Sequence, residues 1–290
     1  MYPLHSLAPI RFTGPDAHSF LQGQLSNDLT ALTPEQSLLA SCNSAQGRVQ
    51  AILRLIQRED GMVALLPRAL LESTLARLRK YVLRTKVTIE DASESLRILW
   101  MERMDLENKG WPLPTTLGAH ALKDGTSVLR WPDNQEERFL ALLPGARAQA
   151  SQGTDEDWRL ADIRAGLPQV LPETHESFVA QMLNLDVLGG ISFNKGCYTG
   201  QEIIARAHFR GTVKRRMLRF QAEGEVPSPG TRILANEQHA GEVVMAAATA
   251  FGSELLAVVN LAQRDTALML ENTKSLLEPL PLPYQLPQDG

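Results

Sequence analysis

Along the chain the spacing of apolar side chains changes period several times, and each change marks an element. Ile10 and Phe12 alternate with polar neighbours, as in a half-buried strand. Thr13-Gly14-Pro15-Asp16 then supplies a cap, a first-turn proline and an early acid, and Ala17, Phe20, Leu21 and Leu25 follow at helical spacing. The helix is expected to stop between residues 24 and 26, leaving Ser26-Asn27-Asp28 as an exposed turn. Segments 49–56 and 62–66 read as strands on either side of an Asp60-Gly61 turn, which is a hairpin signal. Pro67 opens a helix with Leu71, Leu75, Leu78 and Val82 on one stripe. Segments 87–89, 96–101, 128–131 and 139–143 read as further strands, so the block 48–144 is expected to form a layered α+β unit.

In the second half, Thr154 followed by Asp155, Glu156 and Asp157 predicts a capped helix with three acids in its positive first turn. It is expected to end at Gly166, with Pro168 beyond, and to carry Trp158, Ala161 and Ala165 on one face. Ser177 is expected to cap another helix running through Phe178, Met182 and Leu185. From Lys214 the texture shifts to short strands, among them 242–245, 255–260 and 267–270, the pattern of a small β-barrel or sandwich. A domain boundary near Arg210-Gly211 follows, dividing the chain into 1–210 and 211–290. The tail, with Pro279, Pro281, Pro283 and Pro287, reads as an extended strap.

Composition narrows the picture. The chain has 290 residues, 43% of them hydrophobic and 21% charged, which suits an ordinary globular protein of about two domains. A net charge of −4 means that contact with a polyanion would need a local basic patch. Two cysteines, Cys42 and Cys197, form no framework, and no basic region followed by an apolar run opens the chain, so reduced thiols and a cytoplasmic setting are expected. No apolar run is long enough to predict a membrane span.

The densest chemistry lies in 189–202, where four glycines fall among fourteen residues, interleaved with Lys195, Cys197, Tyr198, Gln201 and Glu202. Such a segment is either a plain connector or a place where backbone approaches a ligand closely. Cys197 is either a small buried hydrophobe or a thiol made reactive by Lys195 and nearby arginines. A basic run follows: Arg206, His208, Arg210, Lys214, Arg215, Arg216 and Arg219, with no acid between Ile203 and Ala222. It reads as a solvated face or as an anion site, with a small anion preferred over nucleic acid because Phe209 is the aromatic nearest its centre.

These residues carry a resemblance. Lys195-Gly196-Cys197-Tyr198-Thr199-Gly200-Gln201-Glu202, with Arg206 beyond, resembles the K-G-C-[FY]-x-G-Q-E-x-x-x-[KR] signature of the YgfZ family, relatives of the glycine cleavage aminomethyltransferases. Gly14-Pro15-Asp16 with Gln22-Gly23-Gln24-Leu25-Ser26-Asn27-Asp28 resembles the family's N-terminal motif, and Trp158 with Ile163-Arg164-Ala165-Gly166-Leu167-Pro168 its W…I-x-A-G-x-P segment. The resemblance implies an α+β, aminomethyltransferase-like folate-binding body and a C-terminal β-barrel. It implies tetrahydrofolate or a derivative as cofactor, with Trp158 against the ligand, Asn27 and Asp28 at the pteridine's polar edges, and Gln201, Glu202 and Arg206 contributing. It makes Cys197 the functional thiol, with Lys195 and Tyr198 beside it. The biology it implies is support of iron–sulfur proteins or their assembly factors, one of which modifies tRNA, with direct tRNA binding disfavoured and no membrane partner.

Two departures stand out. Some family members place a tryptophan near the N-terminus where this chain has Leu7. The aminomethyltransferases carry a pattern like G-G-V-x-D-D, and the similar stretch here reads Gly47-Arg48-Val49-Gln50-Ala51-Ile52, with no acid between Glu35 and Glu59. General acid–base chemistry needs a group within hydrogen-bond reach of the reacting atom, so transferase activity is not expected unless Asp162 or Glu202 substitutes. Two cysteines without C-x-x-C spacing do not suit a bound cluster, and no metal site is expected.

Overall fold

The computed structural model describes residues 1–133, 137–145, 154–209 and 211–287. In chain order the strands and helices are β1 (Tyr2–Pro3), β2 (Leu7–Thr13), α1 (Ala17–Gln24), β3 (Leu38–Asn43), β4 (Val49–Arg58), β5 (Gly61–Pro67), α2 (Leu71–Arg79), β6 (Thr88–Asp91), β7 (Leu96–Met101) and α3 (Arg103–Lys109). After them come β8 (His120–Lys123), β9 (Thr126–Trp131), β10 (Arg138–Pro144), α4 (Thr154–Arg164), α5 (Gln201–Phe209), β11 (Arg215–Ala222), β12 (Arg232–Ala235), β13 (Gln238–Thr249), β14 (Gly252–Asn260), β15 (Leu268–Leu270) and β16 (Glu278–Leu280). No helix among the described residues is long and apolar enough to cross a membrane.

Three sheets organise these elements. The first runs β3-β4-β5-β2-β6, the second β1-β7-β10-β9-β8 and the third β15-β12-β13-β14-β11-β16. The expected inner unit 48–144 is therefore split. β4 and β5 pair with β3 and β2 in the first sheet, while β7 to β10 build the second, and no sheet ends at residue 48. The third sheet begins at Arg215, and Arg210, at the expected boundary, lies outside the described residues. This sheet curls into the half-barrel that the expected β-barrel requires: β15 and β16 end its order, and Met269 of β15 bridges to Leu276 just ahead of β16. Its strands are apolar on both faces because both are covered. Val244, Met245, Leu256 and Val258 join the main core, while Phe220, Val243, Leu255 and Ala257 form a second one.

Other local departures have identifiable causes. The helix expected after Ser177 is only a tight turn, Ala180–Leu183, ended by Asn184 in the left-handed region at φ 57°. α3 escaped the apolar pattern because it buries one side chain, Leu106, and is held by its ends: Asp105 accepts from the Glu102 amide, and Gly110 closes it at φ 60°. α4 begins at Thr154 itself, so the residue expected as cap lies inside the helix. Of its three acids, Asp155 is used as a clamp, accepting from the backbone of His5 and Ser6 and from the Ser6 hydroxyl at 2.7–2.9 Å.

The proline-rich tail is an extended strap that contributes β16 to the edge of β11. Tyr284 then pins it across the junction of the sheets. Its hydroxyl donates to the Gly166 carbonyl at 2.8 Å and accepts from Asn184 Nδ2 at 3.3 Å. Gly166 has to be glycine here, since φ is +66° and a Cβ would lie 2.6 Å from the Tyr284 ring. Tyr284→Phe is expected to cost about 1 kcal/mol in urea unfolding and to hasten limited proteolysis of the tail.

Candidate functional site

Where the first sheet, the second sheet, the end of α4 and the strap meet, the chain encloses a cavity of about 450 Å³. Gln36, Leu39 and Arg54 line it from the first sheet and its approach, Pro132 and Asp133 from the end of β9, Leu188 and Gly189 from the glycine-rich segment, and Tyr284 from the strap. Below it lies a nearly filled recess of about 20 Å³, walled by Leu7, Ile52, Trp131, Leu167, Gln169 and again Leu39 and Arg54. The two hollows share a wall and form one site.

The electrostatics of this site are lopsided. Arg54 stands over the Trp131 ring, 5.5 Å from its centroid. It makes no hydrogen bond or ion pair to any described residue, and burial pulls its guanidinium down to about 10, with Asp162 pulling back. Asp162 is already taken: it accepts from Arg138 Nη2 at 2.9 Å and from the Trp131 indole at 3.0 Å, and burial pushes its carboxyl up. Asp133 lines the outer cavity but is paired with Arg130 at 2.6 Å. Among the described residues no carboxylate lines the recess; Ile52 stands there, where the transferase pattern would place an acid. The Gln169 side-chain oxygen is buried without a partner.

The residues expected from the sequence are distributed differently. Trp158 does not line either hollow. It is 2% exposed, tilted against Trp131 at 5.2 Å and edge-on to Trp100 at 5.9 Å, with Arg138 over its ring at 4.6 Å. The aromatic wall of the site is Trp131, one ring nearer. It went unnoticed because the sequence marks it only as the end of a strand. The Ser26-Asn27-Asp28 turn is not exposed: Ser26 and Asn27 are buried. Asn27 Nδ2 donates to the Leu39 and Gly189 carbonyls at 2.7 Å each, so it shapes the rim of the cavity from behind. Asp28 accepts from the Thr30 amide and from Gln22 Nε2, both at 3.0 Å, and these bonds hold its carboxyl below the ordinary value of 3.8.

Lys195 is likewise committed. Its ammonium donates to the carbonyls of Gln22, Leu25 and Asn27 at 2.6–2.8 Å, which uses all three N–H groups. Burial lowers it to about 8, against the pull of Asp28. The expected role as partner of the Cys197 thiol is thereby replaced by that of a plug in the end of α1. Tyr198 is buried against the main core, and burial pushes its phenol up to about 12, so it is not poised for proton transfer at neutral pH. Cys197 is exposed and free, whereas Cys42 is buried and free, its thiol pushed up by burial.

Gln201, Glu202 and Arg206 lie on α5, outside both hollows, with Glu202 and Arg206 exposed. Gly200, ahead of them at φ +83°, allows backbone contact with the turn at 44–47, since a Cβ would lie 2.5 Å from the Ser44 carbonyl oxygen. The basic run does not act as one patch. Arg216 is clamped by Asp186 at 2.7 and 2.9 Å, and Arg219 by Glu254 at 2.6 Å, through acids brought from distant segments. Among the described residues, no group of three or more His, Cys, Asp or Glu side chains is placed to hold a metal.

The same arrangement of sheets recurs in the crystal structure of the glycine cleavage system aminomethyltransferase T from Bartonella henselae. The two superpose with a TM-score of 0.77 over 97% of this chain and 85% of that one, at 16% sequence identity. The chain has the aminomethyltransferase fold. No protein-family model matches it. At this level of identity the likeness concerns the fold, so the chemistry of the site has to be argued from its own residues.

Two outcomes test the assignments of Lys195 and Asp28. Lys195→Met strands three carbonyls and is expected to cost about 2 kcal/mol or more in denaturant unfolding, whereas Cys197→Ser should stay within about 0.5 kcal/mol. Asp28 has a folded value below its unfolded one. Its contribution is therefore present above 3.8 and lost as pH falls through the lower folded value. Asp28→Asn should accordingly be less stable than the parent at pH 6, with the melting curves converging in strong acid.

Proposed function

We propose that this chain is a tetrahydrofolate-binding accessory protein, without transferase turnover, that supports the assembly or repair of iron–sulfur enzymes, one that modifies tRNA among them. The observation that carries the reading is the chemistry of the recess. Among the described residues it offers a buried amide oxygen lacking a donor and a guanidinium that rests on an indole and lacks an acceptor, but no carboxylate.

A reduced pterin suits those groups. Its N–H groups meet the Gln169 oxygen, and its carbonyl meets Arg54, which itself rests on the Trp131 face. The cavity of about 450 Å³ has room for the ring system, with the mostly apolar recess beside it contributing Arg54 and Gln169 as polar groups. The carrier supplies a one-carbon unit or reducing power when bound; the protein's part is to hold and shield it.

The lack of an unpaired carboxylate among the described residues of the cavity and recess argues against aminomethyl transfer, Asp133 being held by Arg130. The position resembling the transferase acid pair carries Ala51 and Ile52, both buried. The substitutes considered above fail on geometry, because Asp162 is held by Arg138 and Trp131 and Glu202 is exposed on α5. The accessory role draws on Cys197, an exposed thiol on the segment whose Gly189 borders the cavity. Through Asn27, which accepts from Lys195 and donates to Gly189, a hydrogen-bond chain ties the cavity border to the position two residues before Cys197.

Calorimetric titration with tetrahydrofolate tests the reading. One-to-one binding is expected, lost on Leu39→Trp, which fills the cavity, with no turnover of an aminomethyl-loaded lipoyl carrier. In cells lacking the chain, the parent should restore activity of iron–sulfur enzymes and Cys197→Ala should not. Absence of folate heat, or measurable transfer, would overturn the corresponding half.

A further inference from the structure

We infer that Arg54 sets the charge selectivity of the cavity, admitting folates whose reacting ring is neutral and rejecting the cationic 5,10-methenyl form. The inference rests on the folate reading and refines it to a class of one-carbon derivative.

Four buried or half-buried arginines surround the junction or the strand beside it, and three are neutralised. Arg130 pairs with Asp133, Arg138 with Asp162 and Arg216 with Asp186. Arg54 is the exception, with no such partner among the described residues. Its contact is the π face of Trp131, and it borders both the outer cavity and the recess. Arg54 is half-buried and none of its nitrogens is sealed in the interior, so its N–H groups are free to donate to an acceptor that enters the cavity. On the recess side its neighbours Leu7, Ile52, Leu65, Leu167 and Leu185 are apolar. The buried oxygen of Gln169 is unpartnered, so it does not serve Arg54.

Asp162 and Asp133, the nearest acids, are each paired with another arginine, so the net field beside Arg54 is positive. A carbonyl or other acceptor on a neutral heterocycle is stabilised there. A ring carrying a delocalised positive charge, as across N5 and N10 of 5,10-methenyltetrahydrofolate, is repelled.

The test compares 5-formyltetrahydrofolate with 5,10-methenyltetrahydrofolate by stopped-flow quenching of tryptophan fluorescence. Mildly acidic buffer and short times keep the methenyl ring closed. The parent should bind the formyl form about tenfold or more tightly, the size expected for two like charges within about 10 Å at an effective dielectric near 20. Arg54→Met should bring the ratio to within about twofold, and Arg54→Lys should keep it. Arg54→Gln serves as the neutral variant if the methionine form does not fold. Equal affinities in the parent, or a ratio that survives loss of the charge, would overturn the inference while leaving the folate reading intact. If neither compound binds the parent, both are overturned.

Discussion

The buried ammonium of Lys195 is the interaction on which the site's geometry depends. Three carbonyls converge on it from the end of α1 and the following turn, and each would otherwise be sealed in the interior without a donor. Through Asn27, the same turn fixes the carbonyls of Leu39 and Gly189 at the cavity rim. Lys195 and Asn27, which look catalytic in the linear sequence, are thus engaged with backbone carbonyls. What they hold in place is a hollow whose recess is lined in part by Trp131, Arg54 and Gln169.

The ion pairs of the molecule explain why this surface is unusual. Asp133, Asp162, Asp186 and Glu254 each neutralise an arginine, and among the described residues none of these acids pairs with Arg54. The fold matches that of an aminomethyltransferase over nearly the whole chain, and fold alone does not carry chemistry, which rests on groups such as Arg54 that the site itself presents.

Much of the first sheet was legible in the pattern of apolar positions. The β4–β5 hairpin declares itself through the Asp60-Gly61 turn, and α1, α2 and α4 through helical spacing. The contents of the site were less legible, for tertiary reasons. Trp131 and Trp158 are equivalent as letters, and only the packing of β9 against α4 decides which faces the hollow. The 203–222 stretch looks like a positive surface because the acids that quench Arg216 and Arg219 come from residues 186 and 254. Arg54 sits in an ordinary strand pattern, one polar residue among apolar ones. Its isolation is visible only once every neighbour's partner is known.

The strap has a consequence for the integrity of the hollow. Tyr284 and Pro283 close one wall of the cavity, while the sheets they lean on pair through strands that lie outside the strap. A single cut between β16 and Tyr284 would therefore leave the sheets paired and the hollow breached on one side.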